Sequence, residues 1–319
     1  LEDDKYNRYG DELLPYSEPI NIWYHNFISD TFLEDTSNML YLLNSGDNEL
    51  NITSHQDHFY IGSIYIKQEE QIISYEDYLN KYSNSSYTDS IITVQCEDCS
   101  SKNDIEVKAG YYKSYKMTPN SYKTQVLNTL SGASVSRSGT SVTYIFDCEE
   151  EGLYNLSFKY KQNSVAGLAV GKNIYLDGKI PFKEMEDYLF PYTKTWANYT
   201  LGNDFPYKFY LTKGTHTLTI ESTSKHTIDV IDELYQVMDA VNSIGITINT
   251  ITGSSSNTQI SWKITDYLPN LQEELLQYAE ILEKDYDYIN NLNPTSKEAS
   301  EVSSLVVASK QLRRLAKYP

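Results

Sequence analysis

The sequence predicts a mainly β chain that ends in a bundle of helices, and three observations carry that expectation. Between residues 152 and 221, apolar and polar residues alternate (Leu153, then Leu156, Phe158 and Tyr160, later Phe209 and Leu211, Leu218 and Ile220) between Gly-, Asn- and Asp-bearing turns, the pattern of antiparallel strands with one buried face in a β-sandwich. From residue 227 the period changes, and Ile228, Ile231, Leu234, Tyr235, Met238, Val241, Ile244 and Ile248 recur every three or four positions. A chain of 319 residues is also long enough for two or three domains, each burying its own core.

In chain order, residues 1–22 are polar and turn-rich, with Pro15 and Pro19, and lead into a strand expected at Ile22-Trp23-Tyr24. Strand signals follow at Met39–Leu43, Leu50–Thr53 and Phe59–Ile66. Leu43, Gly46, Leu50 and Ile52 repeat the spacing of Leu211, Gly214, Leu218 and Ile220 at a constant offset of 168 positions. Residues 1–72 are therefore expected to form a partial sandwich lobe, an incomplete first copy whose opening strands would lie before residue 1. Residues 73–90 are expected to be a connector. Ser74 caps a helix there in which Tyr75, Tyr78, Leu79 and Tyr82 share one side.

A complete sandwich is expected over residues 91–225, from Ile91-Ile92-Thr93-Val94 through Val142–Phe146 to Ile220. Within it, Asp177-Gly178 signals a two-residue hairpin between Ile174–Leu176 and Ile180–Phe182, and Lys213-Gly214 turns the last hairpin. Gly110–Asn128 is a long, polar, tyrosine-dense loop, and long rim loops are where recognition tends to sit. Residues 226–319 read as a three-helix bundle. Gly253–Asn257 breaks the first helix; the second carries Leu268, Leu271, Leu275, Leu276, Ala279, Leu282, Tyr286 and Ile289 and stops at Asn293-Pro294; Thr295 or Ser296 caps the third. The short link after Ile220 predicts that the helices dock on the sandwich.

The residues Lys161-Gln162-Asn163, Asp177-Gly178-Lys179, Pro181-Phe182, Trp196, Leu201-Gly202 and Gly214 carry a resemblance. They look like the paired sugar-binding-type β-sandwich modules, jelly-roll and galactose-binding-like, that precede the helical domain of large Gram-positive extracellular solute-binding lipoproteins. The resemblance covers most of the chain. In architecture and tyrosine content alone, the chain also resembles the starch adherence system proteins of the amylosome of gut bacteria. These resemblances imply a secreted or cell-surface, non-catalytic carbohydrate-binding protein, part of a larger extracellular protein or complex, with no cofactor. The implied ligand is starch-type α-1,4-glucan or malto-oligosaccharide, held where sandwich meets helices. Two other readings stand beside it: a spacer module that touches no sugar, and a glycoside-active enzyme.

Composition narrows the partners. A net charge of −18 argues against nucleic acid, because phosphate binding needs clustered Lys and Arg that a chain of this composition is not expected to gather. No run of 18 apolar residues signals a membrane span, and no charged-then-apolar leader opens the sequence. The 30 Tyr against 9 Phe supply flat apolar faces with a hydroxyl at the rim, suited both to β-surfaces and to pyranose rings. The three cysteines permit at most one disulfide, and Cys96 or Cys99 with Cys148 would tie two strands in an oxidising compartment; the CxxC spacing of Cys96 and Cys99, with no second pair, does not make a zinc or redox site.

The chain has no nucleophile elbow, phosphate-cradling glycine loop or HExxH. His55 and His58 have ligand spacing but lie in an expected turn, where solvated histidines are the commoner case. Glu149-Glu150-Glu151 and Glu184, Glu186 and Asp187 are acid runs of the kind that usually line a solvated face, and a glycosidase would need two of them about 5 to 10 Å apart. Glu97, Asp98 or Asp147 are candidates for a structural calcium. Sugar binding needs an aromatic platform beside planar donors and acceptors, which selects Lys161, Gln162, Asn163, Tyr192, Trp196, Trp262 and Tyr267 as candidate ligand-binding residues. Each has a bland alternative: Trp196 as sandwich core, Trp262 as a plug between helices, and Lys161–Asn163 as a strand cap.

Overall fold

The structure is a computed structural model that describes residues 5–20, 23, 28–29, 38–53, 60–68, 71–163, 167–253, 260, 262–292 and 302–317. The chain forms two compact units, each assembled from separated stretches. One takes residues 1–154, 173–186 and 208–222, and the other takes 155–172, 187–207 and 223–319.

In the first unit, helix α1 (Tyr75–Lys81) starts at Ser74, whose hydroxyl accepts the Asp77 N–H at 3.2 Å, and Glu76 and Asp77 place negative charge in its first turn. The expected cap is therefore in place. Short strands β1 (Ser101–Lys102), β2 (Ala109–Gly110) and β3 (Thr129–Leu130) precede β4 (Ser141–Cys148). Strand β4 pairs antiparallel with β1 on one side and with β11 (Gly214–Thr223) on the other, in a register that sets Tyr144 opposite Leu218 and Val142 opposite Ile220. Val107, Val142 and Tyr144 bury against Val94, Cys96, Cys99, Leu130, Val135 and Ile220. A second sheet pairs β5 (Gly152–Asn155) with β10 (Lys208–Leu211). Phe209 and Leu211 point inward on β10, and α1 is tied to that strand because the Tyr75 and Tyr78 hydroxyls accept the Lys208 and Tyr210 N–H groups.

Several expected strands are absent, and the reason is common to them. Met39–Leu43, Leu50–Thr53 and residues 60–66 form no strand, and Leu42 is 96% exposed. Their patterns are β-like, but a strand is held by a neighbouring ladder, and among the described residues none of these stretches is paired in one. Ile22, Tyr24 and Phe59 lie outside the described residues. Ile91–Val94 joins no sheet either: Val94 packs against the Val142–Tyr144 cluster, while Ile91 is exposed. Asp177-Gly178 does reverse the chain, with φ of 51° and 75°, yet only the Leu176–Lys179 bridge follows, and Ile180–Phe182 leads into a 3-10 turn at Lys183–Met185. Lys213-Gly214 turns the chain from the β5–β10 sheet into the β4–β11 sheet, so it is a link between sheets and not a hairpin.

The disulfide that the three cysteines would permit is not formed, since all three are free thiols. Cys96 and Cys99 pack in the Tyr144 cluster, and the Cys96 carbonyl accepts the Tyr144 hydroxyl, whereas Cys148 is four residues farther along β4. Cys148 thus lies about 13 Å along the strand from the tyrosine around which the other two cysteines pack.

The second unit joins strands to helices. Strand β6 (Ser157–Tyr160) pairs antiparallel with β9 (Ala197–Thr200), and the Val170–Lys172 half of β7 (Val170–Leu176) pairs with β8 (Tyr188–Phe190). Phe158, Tyr160, Tyr188, Phe190 and Tyr199 interlock largely edge to face, with Phe158 and Phe190 at 5.4 Å and 80°. Helix α2 (Lys225–Thr252) runs to Gly253, α3 (Ile264–Tyr267) is a single turn, and α4 (Leu271–Leu292) and α5 (Ser303–Lys317) complete the helical region. The three expected helices are α2, α4 and α5; the extra turn α3 occupies the connection. Leu271, Leu275, Ala279 and Leu282 on α4 bury against Val237 of α2 and Leu312 and Ala316 of α5. Glu283 accepts both the Arg313 guanidinium, at 2.9 and 2.7 Å, and the Ser309 hydroxyl, which holds its carboxyl down to about 2. Thr295 and Ser296, the expected caps of α5, are outside the described residues.

Inside this unit a clasp ties helices to strands. His226, in the first turn of α2, bonds Asp187 at 3.0 Å just before β8, and the Tyr288 hydroxyl of α4 donates to the His226 carbonyl. Gly171 makes room for it, because a Cβ there would lie 2.2 Å from the Asp187 carboxylate and 2.8 Å from the His226 ring.

Candidate functional site

Antiparallel pairing puts the end of β6 beside the start of β9. With Tyr160 opposite Ala197, the next residues outward are Lys161 on one strand and Trp196 on the other. Two hydrogen bonds continue the contact beyond the ladder: the Gln162 N–H donates to the Thr193 hydroxyl at 2.9 Å, and the Thr193 N–H donates to the Gln162 carbonyl at 2.7 Å. The Tyr160 hydroxyl secures the same loop by donating to the Pro191 carbonyl at 2.8 Å. Five of the selected residues, Lys161, Gln162, Asn163, Tyr192 and Trp196, therefore share one end of a strand pair.

Their exposures differ in a useful way. Gln162 is 7% exposed, Lys161, Tyr192 and Trp196 are half-buried, and Asn163 is exposed. The Gln162 side chain donates from Nε2 to the Leu168 carbonyl at 2.9 Å, which fixes the orientation of the amide. Its Oε1 is buried and accepts no hydrogen bond. A buried acceptor without a donor costs roughly 1–3 kcal/mol, so this amide is either a liability or a socket.

Trp262 and Tyr267 belong elsewhere, to the connection between α2 and α4. Trp262 is half-buried and directly precedes Lys263, which has a φ of 44° and starts α3; Tyr267 ends that turn 64% exposed. The hydrogen bonds that join the β6 and β9 residues do not include them.

The acid runs serve the fold. Glu184 accepts the Tyr75 N–H at the start of α1, Glu150 accepts the Thr88 hydroxyl, Glu151 accepts the Tyr210 hydroxyl, and Asp187 holds His226. Among the described residues no three His, Cys, Asp or Glu side chains gather as metal ligands, so Glu97, Asp98 and Asp147 do not assemble the calcium site considered from sequence. Burial pushes the Glu97 carboxyl up, and Asp147 accepts the Thr215 hydroxyl. His55 and His58 are outside the described residues.

Two charged groups in this unit were not singled out from sequence. Burial pulls Lys172, opposite Tyr188 on β7, down to about 8, and burial with the neighbouring Glu233 carboxyl pushes Asp285, 2% exposed on α4, up to about 6. No signal marked Lys172, whose strand register decides its burial. Asp285 had one, since it lies three residues after Leu282 on the apolar stripe.

Among solved structures, the chain is similar to a Paenibacillus sp. cycloisomaltooligosaccharide glucanotransferase complexed with cycloisomaltoheptaose (21% identity, 48% of this chain, 21% of that one, TM-score 0.32). It is also similar to a Podospora anserina GH26-CBM35 β-(1,4)-mannanase (15% identity, 41% of this chain, 24% of that one, TM-score 0.29) and to an Arthrobacter globiformis T6 isomalto-dextranase complexed with panose (13%, 37%, 18%, TM-score 0.26). The chain thus spans about a quarter or less of the length of these structures. No curated protein matches it. The helical region does have a family counterpart: residues 229–319 match the model described as bacterial solute-binding protein, 4-helix bundle domain.

Proposed function

We propose that this chain is a non-catalytic, extracellular carbohydrate-binding protein that takes a starch-type α-1,4-glucan at the end of β6 and β9. The observation that carries the reading is the Gln162 amide, buried and oriented by Leu168, whose Oε1 accepts no hydrogen bond beside Tyr192 and Trp196. A sugar hydroxyl is the donor such a group needs, and the neighbouring aromatic side chains offer the apolar surface that a pyranose face covers. The match of residues 229–319 to a bacterial solute-binding domain supports a role in holding a solute, and it favours a secreted or cell-surface setting.

Native electrophoresis through gel with and without embedded starch tests this. Retardation is expected, without release of reducing sugar; free migration sinks the reading in favour of a spacer module, and sugar release turns it into an enzyme. Trp262→Ala tests whether the helical connection shares the ligand. A stacked aromatic anchor costs about 2 kcal/mol or more on truncation, roughly thirtyfold in maltoheptaose affinity, with the fold intact. A core plug would instead cost about 3 to 5 kcal/mol of stability. Unchanged affinity in a folded variant would remove Trp262 and confine the site to Gln162, Tyr192 and Trp196.

A further inference from the structure

The net charge of −18 hides spans of opposite sign, and one of them is displayed on a loop. Residues 107–146 contain no Asp or Glu, while Lys108, Lys113, Lys116, Lys123 and Arg137 fall inside it. Contrary to the expectation from composition, the chain does gather lysines here. Three of them directly follow a tyrosine, in the pairs Tyr112-Lys113, Tyr115-Lys116 and Tyr122-Lys123, and all six side chains are exposed, with Tyr115 at 79% and Tyr122 at 82%.

The loop that displays them is built from within. Asn128, 3% exposed, accepts the Tyr112 N–H on Oδ1 and donates from Nδ2 to the Tyr112 and Pro119 carbonyls, which closes residues 112–128 into one ring of contacts. Met117 is buried as its hydrophobic anchor, and the Ser121 hydroxyl accepts the Thr124 N–H. The acids at its base are already engaged with backbone: Asp11 accepts the Gln125 N–H and Glu12 the Leu127 N–H. Exposed tyrosine rings on a pre-shaped loop offer apolar faces to a ligand, and Lys116 lies 5.9 Å from the Tyr115 ring centroid, so cation and ring face are presented together.

We infer that this loop is a second ligand surface, for an anionic polysaccharide bearing carboxylates. The lysines match spaced negative charge, and the tyrosine rings match the sugar faces between charges. An acidic polymer approaching a chain of net charge −18 is repelled on average and attracted at a span of opposite sign, which favours docking there. The inference does not depend on the Gln162 site, since its residues, ligand charge and salt response all differ.

Affinity electrophoresis of the full chain through polygalacturonate tests it. Retardation is expected at low salt and should weaken by the order of tenfold between 50 and 200 mM NaCl, as counterion release at about three lysines requires. Lys113→Gln/Lys116→Gln/Lys123→Gln should abolish it with an unchanged near-ultraviolet circular dichroism spectrum, and Tyr115→Ala/Tyr122→Ala should reduce it severalfold. Retardation by starch should be the same in all these variants, so failure of this surface is distinguishable from failure of the Gln162 site. Free migration of the wild type in polygalacturonate, or retardation that survives the triple substitution, overturns the inference. Equal or tighter binding of a single-stranded oligothymidylate overturns the assignment to a glycan.

Discussion

Leu43, Gly46, Asn48, Leu50 and Ile52 stand 168 positions before Leu211, Gly214, His216, Leu218 and Ile220, and the two stretches share a turn while differing in everything around it. Both glycines have positive φ, 107° at Gly46 and 136° at Gly214. Both turns are stapled by the residue two positions on: the Asn48 Nδ2 donates to the Asn44 carbonyl at 2.9 Å, and the His216 Nε2 lies 2.9 Å from the Thr212 carbonyl, at the equivalent place. Yet Leu211 and Leu218 are 5% and 8% exposed inside paired strands, whereas Leu43 and Leu50 are each 49% exposed with no strand. The turn is local chemistry and forms in both stretches. The strand is tertiary, and forms only where β4 and β5 supply a ladder and a core.

The widest separation between the copies is in stability. Leu211→Ala should cost about 2 to 5 kcal/mol in chemical denaturation, as a buried leucine does, while Leu43→Ala should stay within about 0.5 kcal/mol. Equal costs would mean that residues 39–53 are packed as tightly as their counterparts, and the comparison would be wrong. A smaller contrast is expected at the glycines. Gly214→Ala should cost roughly 1 to 3 kcal/mol because an alanine must hold a positive φ within a rigid fold, and Gly46→Ala less, since its flanks are free to relax. An equal loss at both sites in the same denaturation series would show that the first turn is as firmly held as the second.

The smallest expected effect is one of pH. Burial pulls the His216 imidazole down, but the Thr212 carbonyl and the Asp177 carboxylate outweigh it and hold its pKa above the ordinary value. A raised folded pKa gives stability that is fully present below the unfolded value and is lost as pH rises through the folded one. Wild type minus His216→Asn, the residue of the first copy, should therefore show a stabilising difference in thermal melts at acidic pH that declines above about pH 6.5. A difference flat with pH would leave the histidine as packing alone.

Much of this was legible in the sequence where the cause is local. Ser74 caps α1 as the sequence suggested, and the three-and-four spacing of apolar residues after residue 227 found α2, α4 and α5. Lys161, Gln162 and Asn163, and Tyr192 and Trp196, were selected on chemistry, and the β6–β9 register brings them together. What could not be read is partner choice. Lys213-Gly214 announces a reversal but not that the next strand joins the other sheet, and Ile180–Phe182 looks like a hairpin arm because nothing local says that its ladder is taken by a 3-10 turn. The unmet Oε1 of Gln162 was equally invisible, since it depends on how Leu168 and Thr193 enclose the amide.

Gln162 is also where function and stability pull apart, and calorimetric titration of maltoheptaose into wild type and Gln162→Leu tests the glycan reading most directly. Leucine removes a buried acceptor that has no donor and one hydrogen bond to Leu168, so stability should change by no more than about 1 kcal/mol. Affinity should fall at least tenfold, about 1.4 kcal/mol, if the amide receives a sugar hydroxyl. Wild type that takes up maltoheptaose with the same affinity as a folded Gln162→Leu chain would contradict the account.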